Sequence, residues 1–344
     1  MNIYILIYIA AISFLGVLLT VRDKRAARKK TWRVKERTLF VVSALGGSAA
    51  MILTMLVIRH KTRHAKFMVG IPLILFMQIL IVVLAFNQNL AVSRYNVESG
   101  KISGQIKLAL LADLHSCEYG DGQRKLLNAI DREAPDAILL CGDVFDDRTS
   151  SDNAVQLIRG ISDKYACYYV SGNHDTQDEY KIIAESYGVK VLEGTSDILE
   201  IHGEKIRIVG IDDPDVERYA NAGRIITRSV PYMEQIKRLS TTIDSGMFTI
   251  LLSHRPERIE ELLPLKPDLI LAGRAHGGQI RIPLILRNGL WSPNQGFFPR
   301  YTNGVYSFGE TELIVSRGLS RESDAVPRIF NRPEIVVIVL EGIR

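Results

Sequence analysis

Three long stretches of this chain carry no charged side chain: Met1–Val21, Thr38–Ile58 and Phe67–Ser93. A helix needs roughly 20 apolar residues to cross about 30 Å of hydrocarbon, and each stretch reaches that length. A soluble core does not account for three such runs in succession. The first 94 residues are therefore predicted to form a membrane domain with three transmembrane helices, near residues 3–21, 38–58 and 69–88. Gly46-Gly47-Ser48 and Pro72 interrupt the second and third runs, which lipid tolerates where neighbouring helices satisfy the freed backbone. A cleaved signal peptide carries its positive charge before the apolar core, whereas here the charge follows Val21.

Charge divides the chain in the same place. Met1–Arg94 holds 14 Lys/Arg against 2 Asp/Glu, and the remainder holds 29 against 36. The net +5 thus belongs to the membrane region, and the acidic remainder lacks the basic stripe that nucleic-acid binding requires. Arg22–Arg37 carries nine Lys/Arg, which the positive-inside tendency assigns to the cytoplasm. Three crossings then set the first residues outside and everything after the third helix in the cytoplasm, in a multi-pass protein of the cell membrane. They also leave Arg59–Lys66, with four Lys/Arg, on the outer side, an unfavourable term. The basic loops suit anionic lipid headgroups, making the bilayer the first expected partner. The strings DKRAARKKTWRVKERTLF, LGGSAA, RHKTRHAKF and GIPLILF resemble a small family of bacterial membrane proteins of uncharacterised function.

After a linker, residues 95–105, the pattern changes to short aliphatic runs alternating with polar-patterned segments. Ile106–Ala112, Asp136–Leu140, Ala166–Val170, Phe248–Leu252 and Asp268–Ala272 read as buried strands. Gln123–Arg132, Ala154–Asp163 and Pro231–Ile243 read as helices between them. This is an α/β layout, in which ligands gather beyond the carboxyl ends of strands. Each predicted strand runs into residues that can hold a metal: Asp113 and His115, Asp143, Asn173 and His174, His254, and His276. Four of the seven histidines fall at these ends, His60 and His64 lie between the apolar stretches, and His202 stands apart. Cys117, Cys141 and Cys167 show no CxxC spacing and are odd in number, which fits reduced thiols.

The order DxH…GD…GNHD…H…GxxH resembles the calcineurin-like metallophosphoesterase superfamily. The strings LLADLH, CGDVFDD, VSGNHD, LLSHRPE, GGQIRIP, FPRYTNGVY, VSRGLSRES and RIFNRPEIVVIVL are most similar to its membrane-associated bacterial branch, which includes UDP-2,3-diacylglucosamine pyrophosphatases. The resemblance implies a sandwich of two sheets flanked by helices over residues 106–344. It also implies Asp113, His115 and His276 on a first metal, Asp143 bridging, Asn173 and His254 on a second, and His174 beside the phosphate. Mixed imidazole, carboxylate and amide donors suit Mn, Fe or Zn better than Ca or Mg. The implied reaction is attack of metal-activated water on a phosphate ester.

One ligand departs from this pattern. The last motif in the family reads Gly-His-x-His, and its first His binds the second metal; here that position is Arg274. Arginine stays protonated and cannot coordinate a cation, so the first set is complete and the second is one ligand short. Arg274 becomes a candidate catalytic residue beside His174, its guanidinium partly replacing the second cation; the alternative is that Arg274 turns to solvent and the second metal stays, with water in the vacant position. Gln279, Arg281, Trp291, Phe297, Phe298, Arg300, Tyr301 and Arg317 are candidates for a substrate pocket suited to an amphiphilic ester. The leading expectation is a phosphate or pyrophosphate ester that is lipid-linked, because an anchor concentrates an active site near membrane substrate. The competing expectations are an anchored nucleotide phosphodiesterase and a catalytically weakened sensor or binding protein.

Overall fold

The structure is a computed structural model that describes residues 3–175, 177–216, 230–243, 246–321 and 326–343. The chain divides into two compact units, Met1–Phe86 and Asn87–Arg344.

The first unit is helical. Helix α1 covers Ile3–Lys29, α2 Glu36–Val42, α3 Ser48–Val57 and α4 Ala65–Ala85. Leu6–Lys29, Glu36–Val57 and Ala65–Ala85 are each long and apolar enough to cross a membrane. The middle segment is not one straight rod. A π-helical turn, Ser43–Gly47, separates α2 from α3, and Gly46 within it has φ 117°. That backbone is open to glycine and costly for other residues. Beyond the turn α3 runs back alongside α1 in the same direction. Ile12 approaches Gly46 and Gly47, Gly16 approaches Met51, and Asp23 meets His60 at 2.8 Å. Leu39, Val42, Met51, Met55, Phe67 and Ile71 form the small core that these helices share.

The second unit is a sandwich of two six-stranded sheets. In chain order its strands are β1 Ala91–Ser99, β2 Gln105–Leu111, β3 Ala137–Cys141, β4 Ala166–Val170, β5 Lys190–Val191, β6 Thr195–Ile201, β7 Glu204–Ile211, β8 Phe248–Ser253, β9 Leu269–Ala272, β10 Trp291–Ser292, β11 Gly296–Phe297, β12 Gly304–Phe308, β13 Thr311–Val315 and β14 Glu334–Gly342. One sheet runs β1-β14-β2-β3-β4-β5 and the other β12-β13-β9-β8-β7-β6. The aliphatic runs become central strands because both their faces are covered. Leu108, Leu139, Ile208, Ile250 and Leu271 meet in the core between the sheets. Leu111, Leu140 and Tyr169 face α5 (Arg124–Glu133) and α6 (Asp152–Ser162) on the opposite side of the first sheet. Val209, Leu251 and Ile270 pack under α8 (Tyr232–Leu239), while α7 (Asp178–Ser186) lies among the first sheet's helices.

The stretch expected to be a linker is largely strand. Ala91–Ser99 pairs in parallel with β14 over nine residues, and the unit boundary falls at Asn87. The alternating Ala-Val-Ser-Arg-Tyr-Asn-Val run supplies an edge strand, and the polar Asn87-Gln88-Asn89 follows the end of α4 at Ala85.

Candidate metal centre

Five strands deliver the site. β2, β3 and β4 of one sheet and β8 and β9 of the other end in loops carrying Asp113 and His115, Asp143, Asn173 and His174, His254, and Arg274 and His276. Backbone bonds lock the loops together: Asp113 N–H donates to the Gly142 carbonyl at 3.0 Å, and His115 N–H to the Asp143 carbonyl at 2.9 Å. Asp113, His115, Asp143, Arg274 and His276 all have left-handed backbones, with φ between 45° and 64°. Such conformations cost free energy and persist where the surroundings hold them, commonly at functional sites. Gly142 and Gly172 are required for close approach. A Cβ on Gly142 would collide with the His254 ring, and one on Gly172 with the Asp143 carboxylate.

The side chains converge in overlapping groups: two form the candidate ligand sets, and another joins His115 and His174 with Asp146. Metal-binding atoms of Asp113, His115 and His276 all lie within 4.8 Å of one another, as do those of Asp113, Asp143 and His254. In the first group, Asp113 Oδ2 and His115 Nε2 are buried with no hydrogen-bond partner. His115 is oriented from behind by Asp146, whose carboxylate meets Nδ1 at 3.0 Å. Asn331 Nδ2 donates to the His276 carbonyl at 2.7 Å and fixes that loop.

The second group is more engaged. His254 Nδ1 faces the Cys141 carbonyl at 3.0 Å, so Nε2 faces Asp143 Oδ2 at 3.0 Å. Burial opposes a charge on this ring, yet Asp143 beside it raises its pKa to about 10. Burial pushes Asp113 up from the usual carboxylate range, with repulsion from Asp143 adding to it. It also holds His276 well below the ordinary imidazole value, His115 adding to the effect. Asn173 is not free: Arg274 Nη1 donates to its Oδ1 and lies 3.9 Å from Asp143 Oδ2. The Arg274 backbone N–H donates to Asp113 Oδ1 at 3.0 Å, tying the two sheets together at the site. With its carboxamide turned to satisfy its neighbours, the Asn294 oxygen accepts from Arg274 Nη2 at 3.2 Å and from Arg255 Nη1 at 2.7 Å.

A cleft of about 450 Å³ opens onto these groups, lined by His115, Asn173, His174, Arg274 and His276 together with Arg148, Gln279 and Trp291. Of the eight pocket candidates from the sequence, only Gln279 and Trp291 line it. Tyr301 belongs to the core under the second sheet. Arg317 is committed to Glu334 at 2.5 Å. Phe297 and Phe298 are about 70% exposed (71% and 69%). Arg300 stacks on the Tyr301 ring, and Arg281 is half-buried near Arg317. In the VSRGLSRES string, Glu322 and Ser323 lie outside the described residues. His202 is exposed and pairs with Asp136, and the three cysteines are free.

Four residues of the site were not singled out in the sequence. Asp146 holds His115 and Asp147 holds His174 Nδ1 at 2.7 Å. Asp175 accepts the N–H groups of Phe145 and Gly172, joining the loops after β3 and β4. Buried Arg328 donates to the Arg317 carbonyl. The acidic residues stand within the CGDVFDD and VSGNHD strings, where a carboxylate next to a metal-type residue was the available signal.

Residues 106–276 match the family model described as calcineurin-like phosphoesterase. Residues 13–67 match one described as a protein of unknown function (DUF1294). The uncharacterized metallophosphoesterase YkuE of Bacillus subtilis is 26% identical over 246 residues, covering 69% of this chain and 79% of its own. The phosphodiesterase YaeI of Escherichia coli is 26% identical over 252 residues, covering 68% of this chain and 82% of its own. The uncharacterized protein YsdA of Bacillus subtilis is 31% identical over 80 residues, covering 23% of this chain and 90% of its own.

The family implies a divalent cation, and the donors fit one. Buried, unpartnered acceptor-type atoms of Asp113 and His115 face a second imidazole, His276, an arrangement costly to bury unless something pairs with it. The chain belongs to the calcineurin-like metallophosphoesterase superfamily and is a metal-dependent phosphoric ester hydrolase.

Proposed function

We propose that this chain is a membrane-anchored phosphoesterase that hydrolyses a lipid-linked phosphate or pyrophosphate ester with one tightly held cation and the Arg274 guanidinium. The observation that carries this reading is the contact between Arg274 Nη1 and Asn173 Oδ1. An amide oxygen that elsewhere in the family faces a second metal is here satisfied by a fixed positive charge. The same charge lies 3.9 Å from Asp143 and opposes a further divalent ion.

Asp113, His115 and His276 would hold the cation, with Asp143 beside them. When bound, such a cation polarises a phosphoryl oxygen and makes water more acidic. Mn, Fe or Zn suits the donor types. The residues of the chain do the rest. Arg274 holds phosphate oxygens by charge-assisted hydrogen bonds, anchored on its far side by Asn294. His174, its Nδ1 engaged by Asp147, delivers a proton from Nε2 to the departing oxygen. Trp291, which lines the cleft, supplies apolar surface for an amphiphilic ester. The lipid-linked substrate is supported by the three apolar helices carried on the same chain as the cleft.

Metal counting on the purified full chain tests the central claim, paired with turnover of a chromogenic bis-phosphoester in added manganese. We expect about one ion per chain, rising toward two in Arg274→His. Two ions in the unaltered chain, or undiminished turnover in Arg274→Ala, would sink it. Lipid extracts as substrate then test the lipid-linked part: hydrolysis of soluble nucleotide diesters alone would count against it.

A further inference from the structure

A buried carboxylate in the first unit fixes which loops share a face. Asp23, near the end of α1's apolar run, is fully buried. Its carboxylate accepts the Val34 N–H at 3.1 Å. It also meets His60 Nε2 at 2.8 Å and Lys61 Nζ at 3.1 Å. Val34 lies in the segment before α2, and His60 and Lys61 lie after α3. Lys61 is also 3.9 Å from Glu36, the first residue of α2, and Lys24 Nζ donates to the Arg59 carbonyl at 2.9 Å. Both ends of Glu36–Val57 therefore meet the same end of α1. If the segment crossed the bilayer, its ends would be about 30 Å apart, and no single carboxylate could touch both.

Length agrees. At 1.5 Å per residue α2 covers roughly 10 Å and α3 roughly 15 Å, so neither arm spans the hydrocarbon alone. Non-helical backbone at membrane depth must be satisfied within the protein, and the turn between the arms is satisfied. Gln78 of α4 donates to the Ser43 and Ala44 carbonyls at 2.9 and 2.8 Å. Ser48 donates back to Gln78 at 2.5 Å. Tyr8 of α1 donates to the Leu45 carbonyl at 2.8 Å. Three successive carbonyls are thus capped by side chains from the helices on either side.

We propose that Glu36–Val57 is a re-entrant hairpin, that the chain crosses the membrane twice through α1 and α4, and that the hydrolase unit works on a phosphoester at the extracytoplasmic face. This rests on the reading that the first unit is embedded in a membrane. The hairpin alters the charge count decisively. With three crossings the basic loops Arg22–Arg37 and Arg59–Lys66 fall on opposite sides, nine Lys/Arg against four. With the hairpin they fall together, thirteen on one face, while Met1–Val21 and Phe67–Ser93 contribute none to the other. The positive-inside tendency then assigns the shared face to the cytoplasm without an unfavourable loop. α4 starts on that face and ends on the other, and Asn87 follows it. The cytoplasmic placement that three crossings give is thereby reversed.

Cysteine labelling in osmotically intact, wall-stripped cells tests this with the full chain, with Cys117→Ser removing the one native thiol that is not buried. Arg63→Cys marks the loop after α3, and Glu200→Cys marks an exposed strand of the hydrolase unit. A membrane-impermeant maleimide should label Glu200→Cys in intact cells and Arg63→Cys only after lysis. Labelling of Arg63→Cys from outside, or protection of Glu200→Cys until lysis, overturns the proposal. A carbonate wash of the membranes separates the two levels. Reversed labelling with the chain retained defeats the two-crossing proposal and leaves the anchored reading standing, whereas release of the chain defeats the anchored reading as well.

Discussion

The two halves of the metal centre sit a few ångströms apart on the same strand ends, yet they have different electrostatic characters. In the half built from Asp113, His115 and His276, buried acceptor-type atoms are left unpaired, and their supports stand behind them, Asp146 on His115 and Asn331 on the His276 loop. In the half built from Asn173, His254 and Arg274, the polar groups largely satisfy one another, the buried Arg274 Nε being the exception. His254 faces Asp143, and Arg274 takes the Asn173 oxygen. A group of donors left unpaired on one side and held in place on the other is arranged for an outside cation. A group closed on itself has less to offer one. The difference teaches that a single replacement, Arg274 at a histidine position, can change a ligand set into a phosphate-holding set without moving the strands that carry it.

The strongest test attacks the open half. We expect His276→Ala, and separately Asp143→Asn at the junction of the halves, to abolish turnover of the chromogenic diester, because His276 is a donor of the open half and Asp143 shares Asp113 with it. Elemental analysis should find His276→Ala depleted of metal. Retained metal together with normal turnover would mean that the open half is not the working one.

A smaller loss is expected at the cleft wall. His174→Ala should keep its metal while slowing turnover by about 10²–10⁴-fold, the usual range for a proton-transferring side chain. If metal leaves as completely as in His276→Ala, His174 belongs to the ligand set and the division between the halves is drawn wrongly.

The smallest effect concerns the support. Removing the carboxylate that orients a metal-binding imidazole typically weakens metal affinity about 10–100-fold. We expect Asp146→Ala to fall in that range in a manganese titration, with turnover recovering when manganese is raised. Unchanged affinity would show that His115 is oriented without Asp146.

Much of the hydrolase unit was legible before its structure. Ile106–Ala112 and Ala166–Val170 have strand boundaries within a residue of those observed, because a short aliphatic run buried on both faces has few other places to go. Positions within the site were harder to read. Asp146 and Asp147 are adjacent, and only the fold sends one to His115 and the other to His174. For the aromatic and arginine residues after Gly278, residue type alone carries no direction. Trp291 faces the cleft and Tyr301 the core because the loops between β10 and β12 turn them there.

The sequence by itself determined the two-part division of the chain, the α/β alternation, the order of metal-type residues at strand ends and the replacement at Arg274. Each is a matter of residue type and spacing along one dimension. Tertiary structure decided that Ala91–Ser99 is an edge strand, since a polar alternating run becomes a strand or a linker according to whether a partner such as β14 lies beside it. It also decided the path of the middle apolar segment. Hydropathy sums side chains over a window, and 22 residues of it read alike whether they form one rod or two arms. What separates the cases is the left-handed turn at Gly46 and a buried Asp23 with partners drawn from both ends. A hydrogen bond of about 3 Å is a three-dimensional constraint that no count of apolar residues contains.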